Sequence, residues 1–244
     1  MFPIRDHNPS GRTPYVNTAL IVVNVAVFLA YWLSLRDAQL GWFLFQWGLV
    51  PGRALAGRSE WTLVSHMFLH GGWLHLAFNM LFLWIFGDNM EDVLGHVRYL
   101  LFYLASGLAA AGLHIAGDPW GLVPMVGASG AIAGVLGGYL VLFPKARIDV
   151  LFFFVVFFRI FAIPAWIVLG FWFGLQLLHG LDGTEDGVAY LAHVGGFVAG
   201  LVLGGAALLR RGGRAFWAEN AGRPHHPAAD YKLSRSAIPR VPRR

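Results

Sequence analysis

The 244-residue chain is 57% hydrophobic and only 13% charged, against roughly 25% charged residues in soluble domains, which excludes an ordinary water-soluble globule. Its formal charge of +5 is not spread over a binding face. Nine of the 18 Lys and Arg lie after Leu209, which argues against nucleic acid as the partner, and with no cysteine neither disulfides nor thiolate chemistry can contribute.

Residues 1–14 predict a short cytoplasmic segment, and Pro3, Asp6 and Pro9 suit an amphipathic mitochondrial targeting helix poorly. The apolar run 15–35 matches the roughly 20 residues that a hydrocarbon core requires. It is too long, and too poorly followed by a small-residue cleavage site, for a removed signal peptide, so a retained spanning helix is expected. The connection 36–64 is long and holds Trp42, Phe43, Phe45, Trp47 and Trp61, as in a segment lying in the membrane interface. Further spans are expected at 68–87, 97–117 and 128–143. Residues 148–158, IDVLFFFVVFF, are apolar and β-branched or aromatic, and Arg159 and Pro164 separate them from a full helix; an interfacial or hairpin segment fits. Spans at 160–178 and 188–209 follow. The tail 210–244 is basic and rich in Pro and small polar residues, a composition that predicts disorder. The organisation expected is therefore 1–14, a six-helix membrane domain over 15–209, and a tail, with no repeat of fixed period and no second domain.

Charge sets the expected orientation, because basic residues next to a span mark the cytoplasmic side. Arg5, Arg12, Lys145, Arg147 and the basic tail fall on one side of a six-span layout. Asp182, Glu185 and Asp186 in the 181–187 loop and Asp118 in the 117–124 loop fall on the other. Arg36, Arg53 and Arg58 in the first external loop depart mildly from the rule. Both ends are thus expected in the cytoplasm. Glycines recur at four-residue spacing as Gly130, Gly134 and Gly138, and as Gly196 and Gly200; small residues one turn apart let helix backbones approach closely in lipid.

Polar groups inside spanning helices are costly and so mark function by default. In the six-span layout helices two, four and six all start on the external side. They carry His75 and Asn79, Ser129 in GASG, and His193 in AHVGG to one outer depth. A serine hydroxyl becomes a nucleophile when an adjacent base takes its proton, and Gly127, Gly130, Gly195 and Gly196 allow close approach around Ser129 and His193. His75 and Asn79, four apart on one helix face, can both donate toward one point, as stabilisation of an oxyanion requires; interhelical hydrogen-bond glue is the plainer alternative. His66 and His70 are also four apart, but HExxH and nearby carboxylates are absent and zinc catalysis needs about three protein ligands, so no metal is expected.

The stretch WTLVSHMFLHGGWLHLAFN, then GASG, then AHVGG with Gly196 and Gly200, resembles the signature of rhomboid intramembrane serine proteases from Trp61 to Gly200. The resemblance implies an all-α membrane protein, a six-transmembrane-helix bundle with a long interfacial first external loop. It implies a Ser–His dyad with no cofactor, cleaving single-pass transmembrane protein substrates in or beside the bilayer. Carried over, Ser129 is the nucleophile and His193 the base. His75, Asn79 and the Ser129 backbone N–H hold the oxyanion. His70 corresponds to a structural or water-retaining histidine, and Gly127 and Gly130 are accessory candidates. Helix five and the 181–187 loop resemble the family's substrate gate, and the six-span form with cytoplasmic ends resembles bacterial members of the inner membrane. Two positions depart from the family: Thr62 follows Trp61 where Arg is frequent, and Ala133 stands where an aromatic commonly supports the histidine. Two rival readings are a rhomboid-like binder of membrane helices that does not cut, and a haem- or quinone-binding membrane protein using His66, His70, His75, His114 and His179.

Overall fold

Six principal helices and a small sheet make up the computed structural model, which describes residues 2–8, 10–154, 157–182, 188–220 and 222. In chain order the elements are β1 (Phe2–Asp6), α1 (Tyr15–Trp32), α2 (Asp37–Trp47), α3 (Pro51–Leu55), α4 (Thr62–Ser65) with a 3-10 turn at His66–Phe68, and α5 (Trp73–Leu94). They continue with α6 (His96–Gly117), α7 (Ser129–Leu142), β2 (Arg147–Phe154), β3 (Phe157–Pro164), α8 (Ala165–Asp182), α9 (Tyr190–Arg210) and α10 (Arg214–Asn220). The masses of apolar side chain in α1, α6, α8 and α9 make each long and apolar enough to cross a membrane. This is an integral, multi-pass, mostly helical membrane bundle.

The second and fourth expected spans differ from simple rods. Gly71 and Gly72 break the helical run, so Thr62–Phe68 meets α5 at a 93° bend and the second helix runs from Trp73 to Leu94 rather than over 68–87. Gly95, at φ +77°, then turns the chain straight into α6 with no intervening loop, because glycine alone takes that conformation without strain. α7 has only 14 residues, about 21 Å of helix against a hydrocarbon core of about 30 Å. Every residue from Gly130 to Tyr139 is buried. Protein rather than lipid surrounds α7, so it need not match the bilayer's thickness.

Close backbone packing holds α7 against α9. A Cβ at Gly196 would overlap the carbonyl oxygen of Gly130. One at Gly200 would lie 2.7 Å from Gly134 Cα, and one at Gly204 2.8 Å from Gly138 Cα. The two glycine ladders read from the sequence therefore face one another, and Gly204 extends them by a turn.

At the other side of the bundle Glu91 of α5, fully buried, accepts the backbone N–H groups of Val16 at 2.9 Å and Asn17 at 2.7 Å. A side chain from a neighbouring helix thus caps α1, whose own first turn contains no acidic residue; unpaired N–H groups at a helix start are stabilised by such an acceptor.

The sheet is an addition to the expected architecture. Residues 147–164 form the antiparallel hairpin that their aromatic and β-branched character allows, with pairs running from Arg147↔Pro164 to Phe154↔Phe157. Nothing in the pattern of residues 1–14 predicts a strand, yet β1 pairs with β2. Asp149 on β2 fixes it, lying 2.7 Å from Arg5 Nη2 and 2.6 Å from His7 Nε2. Burial pushes the Asp149 carboxyl up, but hydrogen bonds and charge from His7 and Arg5 outweigh it and hold the group below the ordinary carboxylate range. In the order β1-β2-β3, β1 and β3 are edge strands with no further strand beside them among the described residues. Open edges are not tolerated in hydrocarbon, so the sheet belongs at the membrane surface.

Residues 210–220 also differ from their expected disorder. α10 packs Phe216 against Phe143 with ring centroids 6.3 Å apart, and Trp217 Nε1 donates to the Val141 carbonyl at 3.2 Å. Two aromatic residues in an otherwise polar tail supply the apolar contact that composition averaged away. The remainder of the tail, 223–244, and residues 183–187 of the acidic 181–187 loop lie outside the described residues.

Candidate active site

Ser129 is the first residue of α7, which leaves its backbone N–H among those that a helix start cannot satisfy internally. Its hydroxyl Oγ lies 2.8 Å from His193 Nε2 on α9. The α7–α9 glycine contact just below brings these two side chains within reach. Both are partly exposed, and they line a cavity of about 480 Å³ shared with His66, His75, Asn79 and Trp172.

His75 stands on the first turn of α5, on the opposite wall. The Gly71 backbone N–H donates to its Nδ1 at 3.3 Å, so the proton of the neutral ring sits on Nε2. That N–H faces the serine across Gly127: a Cβ at Gly127 would stand 2.7 Å from His75 Nε2 and 3.3 Å from Ser129 Oγ. Gly127 also has φ +131°, a conformation that favours glycine. Its N–H donates to the His66 carbonyl at 2.9 Å, tying the turn before α7 to the bend before α5. Asn79, four residues after His75, lines the same cavity, and its Nδ2 donates to the His75 carbonyl at 2.8 Å. Gly130 touches Ala110 of α6 and packs beside α9.

His70 is not on the cavity wall. It is fully buried; its N–H donates to Tyr31 Oη at 2.8 Å and the Tyr31 hydroxyl donates to its carbonyl at 2.6 Å. Its ring stands edge-on to His75 at 5.2 Å, so it supports the neighbouring imidazole from behind. His179 stacks on Tyr190 at 5.1 Å, where α8 ends and α9 begins.

Two residues of α8 complete the surroundings of His193, and neither was singled out by the sequence. Trp172 lies 5.9 Å from the imidazole at 35°, on the helix where an aromatic is available while Ala133 of α7 is not. Gln176 Oε1 lies 2.7 Å from His193 Nδ1. The available signal was a polar residue in an apolar span.

The long connection between α1 and α5 is fixed without an arginine at position 62. Thr62 Oγ1 donates to the Ser59 carbonyl at 2.6 Å. Arg53 instead anchors the loop, donating to the Phe45 carbonyl at 2.7 Å and Gln46 Oε1 at 3.1 Å while lying over the Phe45 ring. Leu49 and Met125 exchange backbone hydrogen bonds at 2.9 and 2.8 Å, which joins this loop to the segment leading into Ser129.

A family model described as the rhomboid domain matches residues 57–210. Among curated proteins the chain is 32% identical over 170 residues to RHOMBOID-like protein 4 of Arabidopsis thaliana, covering 67% of this chain and 38% of that protein. It is 32% identical over 204 residues to the mitochondrial Rhomboid protein 1 of Saccharomyces cerevisiae, covering 76% of this chain and 51% of that one. Against Rhomboid protease GlpG of Pectobacterium atrosepticum it is 26% identical over 185 residues, or 76% and 60%. The chain thus spans between 38% and 60% of the length of these relatives.

Proposed function

The chain belongs to the rhomboid family, and on that premise we propose that it is an intramembrane serine endopeptidase acting on single-pass transmembrane proteins. The observation that carries this reading is the 2.8 Å approach of Ser129 Oγ to His193 Nε2 inside a cavity large enough for a short extended peptide. In the proposed reaction a substrate carbonyl carbon is attacked by Ser129 Oγ, and His193 Nε2 takes the hydroxyl proton. The negative charge on the carbonyl oxygen is met by His75 Nε2–H, the Ser129 backbone N–H and the Asn79 amide, donors of the kind that stabilise an oxyanion. Collapse of this intermediate breaks the peptide bond, and His193 returns the proton to the leaving amine. Water then hydrolyses the acyl-serine by the same proton route.

A membrane orientation with Ser129 and His193 toward the external face, and both ends of the chain in the cytoplasm, accompanies this reading. It is supported by β1 and α10, which pack at the end of α7 opposite Ser129, beside the basic Lys145 and Arg147. A bacterial inner membrane is the location we propose.

The test uses purified protein in detergent, a single-pass transmembrane reporter and a serine-directed fluorophosphonate. The native protein is expected to cut and to label, and Ser129→Ala and His193→Ala to do neither. His75→Ala is expected to cut about 10²–10³-fold more slowly, as for loss of one oxyanion donor. A folded native protein that neither labels nor cuts any reporter would instead favour a non-proteolytic binder of membrane helices.

A further inference from the structure

α8 is poorly buried for a helix in a bundle. Of its 18 residues only Ala165, Val168, Leu169 and Gln176 are buried. Three of these lie in its first five residues, in the main apolar core. Gln176 is alone in the outer half, and it is the polar one. Its neighbours Leu175, Leu177 and Leu178 are all exposed, so the helix turns an amide inward where leucines were to hand.

Among the described residues that amide hydrogen-bonds one side chain. Gln176 Oε1 lies 2.7 Å from His193 Nδ1, while Nε2 of the same ring lies 2.8 Å from Ser129 Oγ. An amide oxygen has no proton to give and can only accept. The proton must therefore be on Nδ1, which leaves the Nε2 lone pair aimed at the serine hydroxyl. This is the tautomer a general base requires; with the proton on Nε2, the imidazole would donate to the serine oxygen instead of taking its hydrogen. In triads a carboxylate performs the equivalent task from the far side of the ring.

Resting on the reading of Ser129 and His193 as the reacting pair, we propose that Gln176 is a positioning residue that sets the tautomer and ring orientation of His193. The group is neutral, so it orients the imidazole without adding a buried charge, which in a low-dielectric site would be costly unless paired. Trp172, one turn earlier on α8, packs 5.9 Å from the imidazole and limits ring rotation on that side. The base is thus aligned by α8 although it is carried by α9. The outer half of α8 is held inward by this contact and by Phe173 stacked on Phe197 at 4.4 Å, so any outward displacement of α8 removes the acceptor from Nδ1.

The experiment compares native protein, Gln176→Leu and Gln176→Glu, each checked for folding by thermal unfolding and gel filtration in detergent. Leucine keeps the size and removes the acceptor; glutamate keeps an oxygen acceptor in either ionisation form. The first readout is the ¹⁵N spectrum of histidine-labelled protein, with the His193 signals assigned by their loss in His193→Ala. The native ring is expected to be protonated at Nδ1 and bare at Nε2, and Gln176→Leu to show a mixture. The second readout is the rate of fluorophosphonate labelling. Gln176→Leu is expected to fall about 10- to 100-fold, the scale of a misaligned catalytic group, and Gln176→Glu to recover most of it. A native ring protonated at Nε2 overturns the proposal. So does a Gln176→Leu variant with native spectrum and rate, or a folded Gln176→Glu variant as slow as the leucine one. The spectrum needs no turnover: a native protein that is protonated at Nδ1 but never labels would sink the protease reading and uphold the positioning role.

Discussion

Replacing Gly200 by alanine is expected to damage the candidate site from two helical turns away. The added Cβ would overlap the Gly134 carbonyl oxygen and lie 2.7 Å from both the carbonyl carbon and Cα of Gly134. Ordinary contact begins at 3.4 Å, and the obstacle is backbone rather than the end of a flexible side chain. The helices must part by roughly 0.7 Å or more, since packed interiors have no slack to absorb such an overlap. Overpacking of this kind costs about 1–3 kcal/mol. His193 lies seven residues up the same helix, and a shift of that size would stretch its 2.8 Å contact with Ser129 to the outer limit of a hydrogen bond. A misplacement near 1 Å can cost on the order of 10²-fold in rate. The measurement is fluorophosphonate labelling beside thermal unfolding in one detergent. Gly205→Ala, where an added Cβ would meet nothing within 4 Å, is the control on the same helix and is expected to leave both values unchanged. A Gly200→Ala protein that melts and labels like the native one would refute the reasoning.

Two other perturbations address the ends of the bundle. Glu91→Ala removes the acceptor of the Val16 and Asn17 N–H groups and is expected to cost about 0.5–2 kcal/mol, the range for loss of a helix cap; an unchanged unfolding midpoint would contradict the capping role. Asp6 of β1 accepts from Tyr139 Oη at 2.9 Å and from Asn89 Nδ2 at 3.0 Å. Burial, and then the nearby Asp88 carboxylate, push its carboxyl from 3.8 up to about 8. A raised folded value means that the fold favours the protonated acid. Its contribution is complete below pH 4 and is lost as pH rises through about 8, so hydrogen exchange in β1 is expected to accelerate between pH 4 and 8 beyond its intrinsic base dependence. Asp6→Asn should remove that excess, and an excess that survives the substitution would rule out Asp6 as its source.

Much of this protein is determined by local chemistry and is legible in the order of its residues. Long apolar runs have one stable solution in lipid, the helix, because no water is present to satisfy a bare backbone. Glycines spaced by four announce backbone contact, and α7 and α9 meet along them. Polar side chains in separate apolar segments mark a candidate site, and Ser129, His75, Asn79 and His193 line one cavity. His70, which the family resemblance put near the site as a structural or water-retaining histidine, stands behind the cavity wall with its ring edge-on to His75 at 5.2 Å. Other features depend on partners far apart in sequence. The strand β1 exists only because β2, more than 140 residues later, offers it an edge. α10 forms where Phe216 finds Phe143. α7 can be short because other helices enclose it. Gln176 is one more polar residue in an apolar helix until α8 is rotated against α9, and then its oxygen is 2.7 Å from the imidazole. Sequence alone marked which segments are apolar enough to enter a membrane and which polar groups would be costly there. Only the tertiary structure decided which of those groups meet, because in lipid that is set by helix rotation and depth, to which local propensity is blind.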